Sequence, residues 1–213
     1  MSVDLQEVRK RTRARLVDDG VPVGHSLPLL ERTGAPRSSK QVADRVVVLY
    51  ALVGLAHDAD PRKLLQWLQN TRCDSALEAQ EREFFEKEHV TREEEKRLSW
   101  LKEALSLLLW AGGLLSDPGP AHGECDLAEV LPLIPPEIAI ADFRRSLALR
   151  SKAELLVESD YLYQLHWALR HPEVWQNREL HSRFSRDVVI ERRRAIEWLL
   201  HRRLPWWEIS LDT

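Results

Sequence analysis

The chain has 213 residues, 44% hydrophobic and 31% charged, ordinary values for a globular protein. Its 31 Lys and Arg against 34 Asp and Glu leave a net charge of -3, which argues against a surface built for nucleic acid. Two cysteines, Cys73 and Cys125, exclude a disulfide framework and a four-cysteine zinc site, and the longest apolar runs, 46–56 and 107–115, fall short of the roughly 20 residues that cross a bilayer. The first residues contain no apolar signal core, so a cytoplasmic, non-membrane protein is expected.

Eight glycines against eight tryptophans, with no alternating runs joined by Asn-Gly or Asp-Gly turns, point to helices rather than hairpins. In chain order, helices are predicted over 3–18, 39–57, 61–70, 76–88, 92–115, 126–132, 136–149, 152–170 and 186–203. Three carry capping boxes: Ser38 with Gln41, Thr91 with Glu94, and Ser151 with Glu154. Asp60 before Pro61 caps a fourth. Irregular segments are expected at 20–37, 116–124 and 171–185, none long enough to be a linker. The fold class is therefore all-α, a single-domain bundle of about eight or nine helices over 1–213.

The first helix carries Arg9, Lys10, Arg11, Arg13 and Arg15, beside a seam of Leu5, Val8, Thr12 and Leu16 that docks on the body. The run is read as a mainly solvated face, since the aromatic residues of a single-strand binding groove are missing. Glu103 lies on a tryptophan-bearing seam with Trp100, Leu107 and Trp110, and Asp160 shares an aromatic face with Tyr163 and Trp167. His166, among Leu162, Leu165 and Leu169, reads as a hydrogen-bonded core histidine. In the last helix Val188, Val189, Ala195, Ile196, Leu199 and Leu200 form one apolar stripe with Arg192 in its middle and Glu191 at its border.

A buried Arg192 needs a carboxylate, and Asp160, Glu103 and Glu191 are the candidates. Glu103, Asp160, Glu191 and Arg192 are expected to form a polar cluster walled by Trp100, Trp110, Trp167 and Trp198. Arg194, Glu197 and His201 are assigned to the solvated face. The tail 205–213, with Trp206, Trp207, Ile209 and Leu211, is expected to dock, because it would otherwise expose too much apolar surface. Paired Glu-x-x-His motifs are absent, as are a phosphate loop, a nucleophile elbow and a Cys-x-x-Cys. Glu88-His89 and His122 with Cys125 are isolated. Neither a metal nor a cofactor is expected.

Several residues stand in a distinctive combination. They are Trp100-x-x-Glu103-Ala104 leading to Leu108-Leu109-Trp110-Ala111, Asp160-x-x-Tyr163-x-x-His166-Trp167-Ala168, and Val189-x-Glu191-Arg192-x-x-Ala195-x-x-Trp198-Leu199. With Arg37-Ser38, Trp67-Leu68 and the closing Trp206-Trp207-Glu208-x-x-x-Asp212-Thr213, the chain resembles the domain-of-unknown-function family 4272 from about residue 10 to its end. The resemblance implies a helical bacterial protein of this size and carries over no activity. The functional expectation is a non-enzymatic binding or regulatory protein, with an unidentified protein or small molecule as partner. The alternative is a hydrolase using Glu103, Asp160 and Glu191 around Arg192.

Overall fold

A computed structural model describes residues 3–24, 26–31, 34–119, 121, 123–171 and 183–212. The described residues are helical, with short 3-10 turns and no strand. No helix among them is long and apolar enough to cross a membrane. His122 and most of the irregular stretch 171–185 lie outside the described residues.

The helices are α1 Leu5–Asp18, α2 Ser39–Leu55, α3 Pro61–Asn70, α4 Ala79–Glu86, α5 Arg92–Ser99, α6 Leu101–Ala111, α7 Leu127–Val130, α8 Ile140–Ser146, α9 Lys152–Arg170 and α10 Arg186–Leu200. Their contacts divide the chain into two compact units that interleave in sequence. The first takes residues 1–36, 120–124 and 150–213; the second takes 37–119 and 125–149.

In the first unit α9 is the central element, with α1 and α10 both packed against it. Ser151 starts α9 with the predicted capping box, its hydroxyl accepting from the Glu154 amide while the Glu154 carboxylate accepts from Ser151. Leu155, Leu156, Leu162, Leu165 and Leu169 bury its apolar sides. In the second unit α2 plays the same part, packed by α3, α5, α6 and α8. Ser38 caps α2 and Gln41 returns the bond, and the run Val46–Leu49 is fully buried, as a helix with neighbours all round requires.

Most predicted boundaries hold to within three residues, and three helices depart most. The predicted helix over 92–115 is broken at Trp100 into α5 and α6, with the Ser99 hydroxyl donating to the Lys96 carbonyl beside the break, and α6 ends at Ala111, where Gly112 and Gly113 follow. The predicted 76–88 helix begins only at Ala79, because Asp74–Ala76 is a 3-10 turn and Glu78 with Glu81 forms a capping box of its own. In 136–149 only Ile140–Ser146 is helical, since Pro135 and Pro136 have no N–H to continue a ladder.

The end of α6 is sterically exacting. Gly113 has φ +78°, and its amide bonds Trp110 while that of Leu114 bonds Leu109, both to carbonyls that the helix leaves open. A Cβ at Gly113 would lie 2.8 Å from the Ala148 carbonyl oxygen. Gly113→Ala is expected to destabilise the protein by about 1–2 kcal/mol or more. Gly34→Ala, where a Cβ meets nothing within 4 Å, should be close to neutral. Urea unfolding of the two variants measures the difference.

Candidate functional site

The first unit is organised around charge burial on α9. Asp160 is 1% exposed and is gripped by Arg9 of α1, whose Nε and Nη2 bind the carboxylate at 2.9–3.2 Å. The Gln164 amide adds a bond at 3.0 Å. Arg9 also donates to the carbonyls of Leu27 and Pro28, so one guanidinium joins α1, α9 and the strap after α1. Nearly two turns further along α1, Arg15 bonds Glu158 at 2.6 Å and lies 3.6 Å over the Tyr161 ring, and Tyr161 donates to Asp19. Burial pushes the Tyr161 hydroxyl well above its ordinary pKa. The basic run of α1 is therefore only partly a solvated face: Lys10 and Arg11 are exposed, whereas Arg9 and Arg15 hold the fold together.

On α10, Arg192 is buried at 1% exposure, as its place in the apolar stripe predicts. The arginine on Asp160, however, is Arg9 and not Arg192. Glu191, at the border of the stripe, bonds Arg194 at 3.3 Å. Arg193, the next residue, is 5% exposed and makes a different set of contacts. It donates from Nη1 to His166 Nδ1 at 2.7 Å and to the Leu211 carbonyl at 2.9 Å, and from Nη2 to the Asp212 carbonyl at 3.0 Å. Its guanidinium also lies 5.0 Å from the Tyr163 ring centre.

Because an arginine has no acceptor, the bond to His166 requires an unprotonated Nδ1 and places the ring proton on Nε2. Burial, with the positive charges of Arg193, Arg170 and Arg186, pushes His166 down to about 4. His166 is thus a neutral, hydrogen-bonded core histidine. Burial also lowers the Arg193 guanidinium from its ordinary value.

Arg193 draws the C-terminal tail onto α10. Trp206 is completely buried with its ring 5.7 Å from that of Trp198, Ile209 is 6% exposed, and Trp207 lies 5.8 Å from the Arg194 guanidinium. The expected docking of the tail is what the structure has. Its return also explains why Arg194 and Glu197 are not on an open solvated face: their side chains are only 17% and 13% exposed. Glu197 accepts from the Ser159 hydroxyl at 2.8 Å and pairs with His201 at 3.1 Å, a hydrogen bond that raises the His201 pKa.

Between α9, α10, the strap 28–31 and the tail lies a cleft of about 350 Å³. Leu156, Leu200, Leu204 and Ile209 supply apolar wall, and Ser159, Tyr163, Arg193, Glu197 and His201 supply polar groups.

Glu103, Trp100 and Trp110 belong to the second unit. Glu103 is fully buried near the start of α6 and accepts from the Cys125 amide at 2.7 Å. Trp110 is 7% exposed and Trp100 sits at the break between α5 and α6. The same unit holds a fully buried pair, Arg45 of α2 with Glu81 of α4, and a smaller group in which Arg144 reaches Asp44, the Thr71 carbonyl and the Cys73 sulfur. Burial raises the Cys73 thiol. The residues assigned to one cluster are thus distributed over the two units, with Asp160, Tyr163, His166, Trp167, Glu191, Arg192 and Trp198 in the first. Trp167 has its ring 4.7 Å from that of His171. No group of three or more His, Cys, Asp or Glu among the described residues is arranged to hold a metal ion.

Helical spacing contains a signal for Arg9 and Arg193. Arg9 falls four residues after Leu5, three before Thr12 and seven before Leu16; Arg193 falls four after Val189 and three before Ile196. Both occupy apolar stripes, as Arg192 does.

Fold and site define an all-helical protein with arginine-anchored packing and a cleft of small-ligand size. The chain belongs to the domain of unknown function family 4272, whose model matches residues 8–209. No curated protein and no solved structure matches it.

Two measurements check the electrostatics. Arg9→Ala strands the buried Asp160 charge and is expected to cost about 3–5 kcal/mol, whereas Lys10→Ala on the exposed face should stay within about 0.5 kcal/mol. For His166, the folded pKa lies below the unfolded one, so the unfolded chain binds the proton first as pH falls. Its contribution is complete above about pH 6.5 and is lost progressively toward about pH 4, a change of roughly 3 kcal/mol. Urea midpoints between pH 4 and 7 should therefore fall with acid, and more steeply than in His166→Gln, which keeps an acceptor for Arg193.

Proposed function

We propose that the protein is a non-enzymatic binding protein and that the cleft between α9 and α10 is its ligand site. The observation that carries this reading is the cleft itself: about 350 Å³, with apolar walls and a few converging polar side chains, the form small-molecule sites take. A depression of about 670 Å³ in the second unit, around Asp58 and the 86–90 turn, is larger but is lined mainly by charged side chains. Its walls suit solvent better than a sequestered ligand.

The hydrolase alternative requires carboxylates free to exchange protons with a substrate. Asp160 is 1% exposed and is engaged by Arg9 and Gln164, the arrangement of a structural pair. Glu103 is fully buried with one oxygen on a backbone amide. Both facts favour binding over turnover.

Ligand-observed NMR with a fragment library tests the reading. Fragments that bind the wild type are expected to lose binding in Leu156→Phe, which fills the cleft. Fragments that bind Leu156→Phe equally well would place the site elsewhere. Turnover of esters or phosphate esters that disappears in folded Asp160→Asn would replace the binding reading with the enzymatic one.

A further inference from the structure

Four arginines are buried among the described residues of the two units: Arg9, Arg45, Arg192 and Arg193. Arg9 takes Asp160 and Arg45 takes Glu81, each through two guanidinium nitrogens on one carboxylate. That is the ordinary way of placing such a charge out of water. Arg193 does not follow it. Its hydrogen-bond partners are an uncharged imidazole and two peptide carbonyls, none of which carries a negative charge. The nearest carboxylate on its own helix face, Glu197, is held by Ser159 and His201.

A guanidinium has five N–H donors. Arg193 uses two from Nη1, on His166 and Leu211, and one from Nη2, on Asp212. Its buried Nε has no partner. The Nε–H and the second N–H of Nη2 therefore remain without a described acceptor. Nε and Nη2 are the same two nitrogens with which Arg9 holds Asp160. His166 has a second buried nitrogen in the same condition, Nε2, which carries the ring proton. Arg193 also lines the cleft, where Tyr163 contributes an aromatic face and Ser159 a hydroxyl.

We infer that the cleft takes a small anionic ligand, one bearing a carboxylate or a phosphate, and that Arg193 is the group that recognises it. The ligand's oxygens complete the guanidinium through Nε and Nη2 and give it the directly bonded anion it lacks: Glu197 and Asp212 act on Arg193 only through space, and Glu31 and Glu197 on the cleft wall restrict the anion to the guanidinium end. Its apolar part lies against Leu156, Leu200 and Ile209. Tyr163 covers the guanidinium and limits its contact with water. The tail forms part of the wall and is tied to the same arginine through residues 211 and 212, so ligand binding also tightens or displaces the tail. This inference rests on the cleft being the ligand site.

Calorimetry and thermal shift with 4-phenylbutanoate, phenyl phosphate and the neutral isostere 4-phenylbutanamide test it. The wild type is expected to bind at least one of the two anions in a saturable way and at least tenfold more tightly than the amide. Preference between carboxylate and phosphate identifies the source of the charge. Arg193→Gln and Arg193→Lys should each lose tenfold or more, the lysine because a point charge does not replace the fork. Arg194→Gln should bind as the wild type does.

Leu204→Glu, at a 39% exposed position on the cleft wall, keeps the core intact and should weaken anion binding several-fold. It provides the answer even where the Arg193 variants do not fold. Equal affinity for amide and anion, blocked by Leu156→Phe, would overturn the anion assignment and leave the cleft as the site. Binding of no probe would overturn the anion assignment, and anion binding unchanged in Leu204→Glu or in a folded Arg193 variant would do the same.

Discussion

A guanidinium removed from water has to be met by hydrogen-bond acceptors on nearly every side, and this requirement shapes the first unit. Arg9 satisfies it by drawing together the Asp160 carboxylate, itself held by the Gln164 amide, and the strap carbonyls of Leu27 and Pro28. That one side chain ties α1 to α9, holds the strap at Leu27 and Pro28 and closes off the Asp160 carboxylate. The strap it fixes is in turn one wall of the cleft. Replacing the pair by two apolar residues would keep the helices together, but it would leave the strap carbonyls without their donor.

The second unit uses the same device in a drier setting. Arg45 and Glu81 connect α2 to α4, and Glu81 also accepts from the Glu78 amide, closing the box at the start of α4. A helix cap and a buried ion pair thus share one carboxylate. Packing and local capping are coupled at that point, so a change at Glu81 would loosen a helix start and strand an arginine together.

Elements whose causes are local could be read from the sequence. Ser38, Thr91 and Ser151 each cap the predicted helix, because a hydroxyl and an amide or carboxylate three residues later settle the matter among themselves. Helical spacing alone puts Arg192 and His166 in the interior, where the structure has them. The break at Trp100 has no such local sign, since α5 and α6 have compatible periodicity. Partner choice has none either. Arg9 and Asp160 are 151 positions apart, and nothing on either helix names the other. Arg194 and Glu197 looked solvated because a helical wheel contains no tail; the tail's return over that face is a tertiary event.

The interleaving of the units has a consequence for how the chain is made. The second unit is complete once residue 149 has been synthesised, and all its helices are contiguous or close in sequence. The first unit opens the chain, yet α1 finds its counter-charge only when residue 160 has left the ribosome. At about 5–20 residues per second, Arg9 and its seam wait roughly 8–30 s for Asp160. Throughout that interval a basic, amphipathic helix is presented without its partner while the intervening unit folds.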